Sequence, residues 1–169
     1  MVKKFKSPKI DIKQAVSQSI RNQNDDYIPK LFIYSQLLLA MNKNAALYAT
    51  TGTAAKFWSL WKEPLMNEGE VEYNRLEAIV KKDLKNSMIH HISQSMNISE
   101  NVFNTKRLMT EQDKAIYSLC RPERLLSLTF KYIVFDGGIK KIARYQQYFV
   151  IQSTVKRVVA GNQHKGSPQ

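Results

Sequence analysis

The chain has 169 residues, 43% of them hydrophobic, a net charge of +12 and an isoelectric point near 9.8. No apolar run reaches the ~20 residues that cross a bilayer. Residues 1–10 are basic without an apolar core of the signal-peptide kind, and Cys120 is the only cysteine, which excludes an internal disulfide. These totals predict one core, a cytoplasmic setting, no membrane, and an anionic partner with nucleic acid the foremost class.

In chain order, residues 1–9 read as a short strand ended by Ser7-Pro8. Residues 11–22 place Ile12, Ala15, Val16 and Ile20 at helical spacing, with Asp11 positioned to cap the start. Asn24-Asp25-Asp26 interrupts that pattern and Pro29 permits a new start. Residues 37–41 and 45–48 are apolar runs around Asn42-Lys43-Asn44, the pattern of a β-hairpin. Thr50-Thr51-Gly52-Thr53 is a loop. Trp58 and Trp61 read as core, with base stacking a minority use, and residues 64–69 as a connector. Leu76, Ile79, Val80 and Leu84 mark a helix. Met88, Ile92 and Met96 continue an apolar stripe expected to be core. Residues 97–109 are less periodic and read as a loop.

Thr110 with Asp113 is a capping-box-like start for a helix to about Cys120, and Pro122 suits a first helical position. Cys120 reads as a small buried hydrophobe. Ile133-Val134-Phe135 followed by Asp136-Gly137-Gly138 predicts strand then turn, with Lys140 and Lys141 beside the turn as the candidate phosphate contacts. A last helix is expected over about 143–159, then a frayed tail from Gly161. From residue 121 onward nine Lys/Arg face only Glu123 and Asp136. The fold class is α+β, helix-rich, with an early hairpin-containing part meeting a later helical part near residue 64.

Arg144 and Gln147 are three apart and would share one face of that last helix. A glutamine amide both accepts and donates, which suits the N6 and N7 atoms of adenine. An arginine beside it can lock the amide or reach a phosphate. No phosphate-binding loop follows. The 161–167 segment has the glycine spacing of GxxxxGK[ST], but Ser167 stands where the lysine belongs and a helix, not a strand, precedes it.

The segment containing Arg144 and Gln147 resembles the region just before the helicase motor in the R subunit of type I restriction enzymes, where an Arg-x-x-Gln element helps hold ATP. The likeness extends through Leu31-Phe32-Ile33-Tyr34, Thr50-Thr51-Gly52-Thr53 and Phe57-Trp58-Ser59-Leu60-Trp61-Lys62-Glu63, and more loosely over 64–108. It implies a truncated subunit: 1–64 the end of a PD-(D/E)xK-like nuclease domain, 65–120 a helical connector, 121–160 the start of a motor-like domain, and 161–169 a disordered tail. The intact family uses ATP and Mg²⁺, acts on DNA, and works with modification and specificity subunits.

Under that resemblance Lys6 is the lysine of the (D/E)-x-K turn, where it would polarise phosphate or water. Gln18 is the glutamine of the helix that follows. Lys4 then occupies the place of the acid, and Asn22 that of a tyrosine. A lysine cannot ligate a hard cation, which needs oxygen donors. Lys6 and Gln18 are therefore expected to be surface or fold-supporting residues, with no metal and no nucleotide bound by this chain alone and cleavage not expected. His90 and His91 are adjacent and diverge by ~100° on a helix, which argues against a shared zinc. A non-enzymatic basic module that binds nucleic acid or a partner subunit is the alternative.

Overall fold

The apolar runs on either side of Asn42 form the centre of the molecule. The computed structural model describes residues 1–63, 69–104 and 107–164. Along these residues run β1 (Val2–Phe5), α1 (Ile12–Arg21), β2 (Leu38–Met41), β3 (Ala46–Ala49) and β4 (Ser59–Leu60). They are followed by α2 (Gly69–Lys81), α3 (Asn86–Met96), α4 (Glu111–Cys120), α5 (Pro122–Lys131), β5 (Ile133–Asp136), β6 (Ile139–Ile142) and α6 (Tyr145–His164). The α+β, helix-rich class holds.

Strands β2 and β3 pair as the expected antiparallel hairpin. Asn42 makes its turn: the side-chain oxygen accepts from the Asn44 and Ala45 amides at 2.9 and 2.8 Å, and its Nδ2 donates to the Ile10 carbonyl at 3.0 Å. An asparagine that hydrogen-bonds the backbone just ahead of it stabilises a tight turn. Strand β1 runs parallel to β2, and β4 joins β3, giving the order β1-β2-β3-β4. A parallel neighbour requires a crossover, which α1 supplies. Asp11 caps it, accepting from the Lys13 amide at 2.9 Å.

Both faces of β2 and β3 are covered, which is why their apolar residues run consecutively instead of alternating. Leu38, Ala40 and Ala49 pack with Ala15 and Val16 of α1, Phe32 and Trp58. Leu37, Leu39, Met41 and Tyr48 pack on the other side with Ala115 and Leu119 of α4, Leu128 of α5 and Tyr148 of α6. This second core crosses residue 64, joining early strands to late helices. Tyr48 also ties its own hydroxyl to the Ala143 carbonyl at 2.9 Å, and burial pushes its phenol up.

The later elements start where their local signals lie. Thr110 and Asp113 form a complete capping box on α4, and Pro122 opens α5. Gly137 and Gly138 both have positive φ, 56° and 78°, as a two-residue hairpin turn with right-handed strand twist requires. That turn is followed by a strand, β6, where only a lysine pair was expected. The sequence Ile139-Lys140-Lys141-Ile142 does not alternate, so its period of two is hidden, yet Ile142 pairs with Ile133.

Two expectations are corrected. Met88 and Met96 lie on the surface, Met96 at 66% exposure, and only Ser93 of α3 is buried. Residues four apart do share a helix face, but that face of α3 is left uncovered at Met88 and Met96, and spacing alone does not say what packs on it. The tail expected to fray from Gly161 continues α6 to His164. Residues 64–68 of the expected connector and the last part of the 161–167 segment lie outside the described residues. Trp58 is core, as expected, and Cys120 is half-buried. No helix among the described residues is long and apolar enough to cross a membrane.

Candidate functional site

The Lys6 amide donates to the Met41 carbonyl at 2.9 Å, extending the β1 pairing by one residue. The chain then turns through Ser7-Pro8 and returns as α1. Because Ala15 and Val16 face the sheet, the polar stripe of α1 is left facing outward. A cleft of about 470 Å³ lies between that stripe and the end of β1, lined by Lys6, Asp11, Lys13, Ser17, Gln18 and Arg21. The structure therefore brings Lys6 and Gln18 together.

The cleft is electropositive. Lys6, Lys13 and Arg21 contribute three cations against the single carboxylate of Asp11, which caps α1. Arg21 is steadied by the Tyr27 ring, whose centroid is 5.0 Å from its guanidinium. Asn22 is buried; with its amide turned so that both ends are satisfied, its oxygen accepts from Lys4 Nζ at 3.3 Å and its nitrogen donates to the Gln18 carbonyl at 3.1 Å. The side chains at the positions of the acid and the tyrosine are thus paired with each other. This lining does not fit Mg²⁺, which requires close to six oxygen ligands. The one carboxylate caps α1, and two amides and a hydroxyl beside three ammonium or guanidinium groups leave no anionic anchor for a hydrated Mg²⁺.

The other predicted site residues are engaged elsewhere. Arg144 precedes α6 instead of lying on it, and its amide donates to Gln147 Oε1 at 2.8 Å. Gln147 therefore reaches back over the first turn as a cap, and the oxygen that would accept from adenine N6 is occupied. These two residues do not fit a nucleotide site as they stand. Lys140 Nζ donates to the Ser35 carbonyl at 3.3 Å and to Gln36 Oε1 at 3.2 Å, clamping the β5–β6 hairpin to the segment before β2. Lys141 pairs with Asp136 across the same hairpin. His90 pairs with Glu100 at 2.9 Å.

Sequence reasoning missed two features. Lys13, Ser17 and Arg21 are spaced by four along α1, a polar stripe whose signal was present in the spacing itself. The second is Arg124, which meets Glu63 through two contacts of 2.7 and 3.0 Å and stacks over the rings of Trp61, Tyr148 and Phe149 at 5.1, 4.6 and 5.4 Å. Trp61 Nε1 also donates to Glu63 at 2.6 Å. No local pattern links residues so far apart in the chain. No protein-family profile, curated protein or solved structure matches this chain.

Proposed function

We propose that the chain is a non-cleaving segment of a type I restriction enzyme R subunit, spanning the end of the nuclease region to the approach to the motor. The observation that carries this reading is the parallel β1-α1-β2 unit, which sets Lys6 and Gln18 on one cleft with Lys4 where an acid would stand. The Lys4–Asn22 contact supports it, because two departures from the motif are chemically matched to each other. Exposed apolar side chains, Tyr34 at 86% and Phe130 at 79% among them, support a role inside a larger assembly with modification and specificity subunits. Catalysis would require metal-held water and an ionised ligand set, which this lining does not provide.

The test is co-purification with modification and specificity subunits, scored beside plasmid cleavage in ATP and Mg²⁺. Association without cleavage is expected. Failure to associate with either subunit, or strand scission above a Lys6→Ala control, overturns the reading. A second reading is favoured by the three cations of the cleft: a basic module that docks on DNA. It requires affinity that falls with salt by roughly 0.9 log units per log unit for each phosphate neutralised; absence of binding at low salt removes it.

A further inference from the structure

We propose that the α1–β1 cleft is a metal-independent phosphate clamp built from Lys6, Lys13 and Arg21. The proposal deepens the second reading above by naming the group bound and the residues that hold it.

The three cations come from two elements and converge on one concavity. Lys13, Ser17 and Arg21 rise from a single stripe of α1, while Lys6 forms the facing wall at the end of β1. Among the described residues, no carboxylate lies within ion-pair distance of any of the three. That sets them apart from Lys140, Lys141, Arg121 and Arg124, each held by a partner within the fold. Gln14, Ser17 and Gln18 add N–H and O–H donors to the same lining. Asp11, the one acid, accepts from the Lys13 amide in the first turn of the helix. Lys4, fixed by Asn22, adds positive potential beside Gln18.

A phosphate group accepts hydrogen bonds on every free oxygen and pairs with Lys and Arg as a point or forked contact. A divalent metal needs the opposite lining. The depression, about 470 Å³, is open to solvent and lined by polar and charged side chains, which suits a partly hydrated anionic group.

The test is titration of the ¹⁵N-labelled full chain, in EDTA, with inorganic pyrophosphate, a blunt duplex lacking 5′ phosphates, and the same duplex 5′-phosphorylated. Amide shifts confined to Lys6 and residues 13–21 are expected. Single replacements Lys6→Gln, Lys13→Gln or Arg21→Gln each weaken binding by about two- to fivefold, the range for exposed ion pairs. The Lys13→Gln/Arg21→Gln double variant weakens it at least tenfold, and since both residues are exposed its helix content by circular dichroism stays unchanged. Lys82→Gln, just past the end of α2 and outside the cleft lining, has no effect. Binding of the unphosphorylated duplex assigns the clamp to the nucleic-acid backbone. A preference for the phosphorylated duplex assigns it to strand ends, and pyrophosphate alone to free polyphosphate. Shifts elsewhere, a requirement for Mg²⁺, undiminished binding by the double variant, or no response to all three probes overturns the proposal. DNA binding retained without shifts in the cleft would sink the clamp while leaving the basic-module reading intact.

Discussion

Removing Arg124 should cost the fold more than any surface change. Its side chain is 10% exposed and that of Glu63 11%, so Arg124→Leu leaves a nearly buried carboxylate without its main partner. Breaking one side of such a pair costs about 3–5 kcal/mol, and stacking on an aromatic face adds about 0.5–1 kcal/mol. Trp61 Nε1 at 2.6 Å and Arg121 at 3.4 Å still donate to Glu63, which places the loss near the lower end, about 3 kcal/mol. With a urea dependence of about 2 kcal/mol per molar, the unfolding midpoint should fall by about 1.5 M. Combining Arg124→Leu with Glu63→Gln removes the stranded charge while keeping an acceptor for Trp61. That double variant should recover about 1–2 kcal/mol relative to Arg124→Leu alone. A single-variant loss below about 1 kcal/mol, or a double variant no more stable than the single, would refute the view that this pair locks the 61–63 segment onto α5 and α6.

Asp113 provides a pH-dependent test. Burial raises its carboxyl, but hydrogen bonds from Arg107 and Thr110 outweigh that and hold it below the usual carboxylate range. A carboxyl lowered on folding adds stability above its unfolded pKa that disappears as pH falls through the folded one. Asp113→Asn should therefore cost about 1–2 kcal/mol at neutral pH and less below about pH 4 in urea melts; an equal cost at both would count against it. Gly137→Ala places a Cβ in open space but at φ 56°, so backbone strain alone should cost about 1 kcal/mol and lower the melting temperature by about 2–4 °C. Lys4→Glu introduces one acid and severs the Lys4–Asn22 contact, yet plasmid nicking in Mg²⁺ should stay undetectable, because one carboxylate does not make a metal site. Any nicking above background would show that the count of ligands is wrong.

Signals that act within a few residues were readable: the Asp11 cap, the Asn42 turn, the Thr110–Asp113 box, Pro122 and the Gly137-Gly138 turn. Each is a contact between a side chain and backbone less than a turn away, or a φ that few residues adopt. Half of the cleft was readable too, since Lys6 and Gln18 were paired through a family likeness, and the four-residue spacing of Lys13, Ser17 and Arg21 lay in plain view. Strand β6 was hidden because its inward residues are set by β5 across the turn, and the α3 stripe misled because apolar spacing does not state what, if anything, lies opposite.

Sequence alone determined where α1, α4 and α5 start, where the chain reverses at Asn42 and at Gly137-Gly138, and how large the excess of positive charge is. Tertiary structure decided which cations remain free. Lys140 and Lys141 are held by Gln36 and Asp136, and Arg124 by Glu63, whereas Lys6, Lys13 and Arg21 share a cleft whose one carboxylate, Asp11, caps α1 and pairs with none of them. The reason is that a charge is silenced by whatever folds against it, and for Lys140 and Arg124 those partners lie tens of residues away, beyond the reach of any local period.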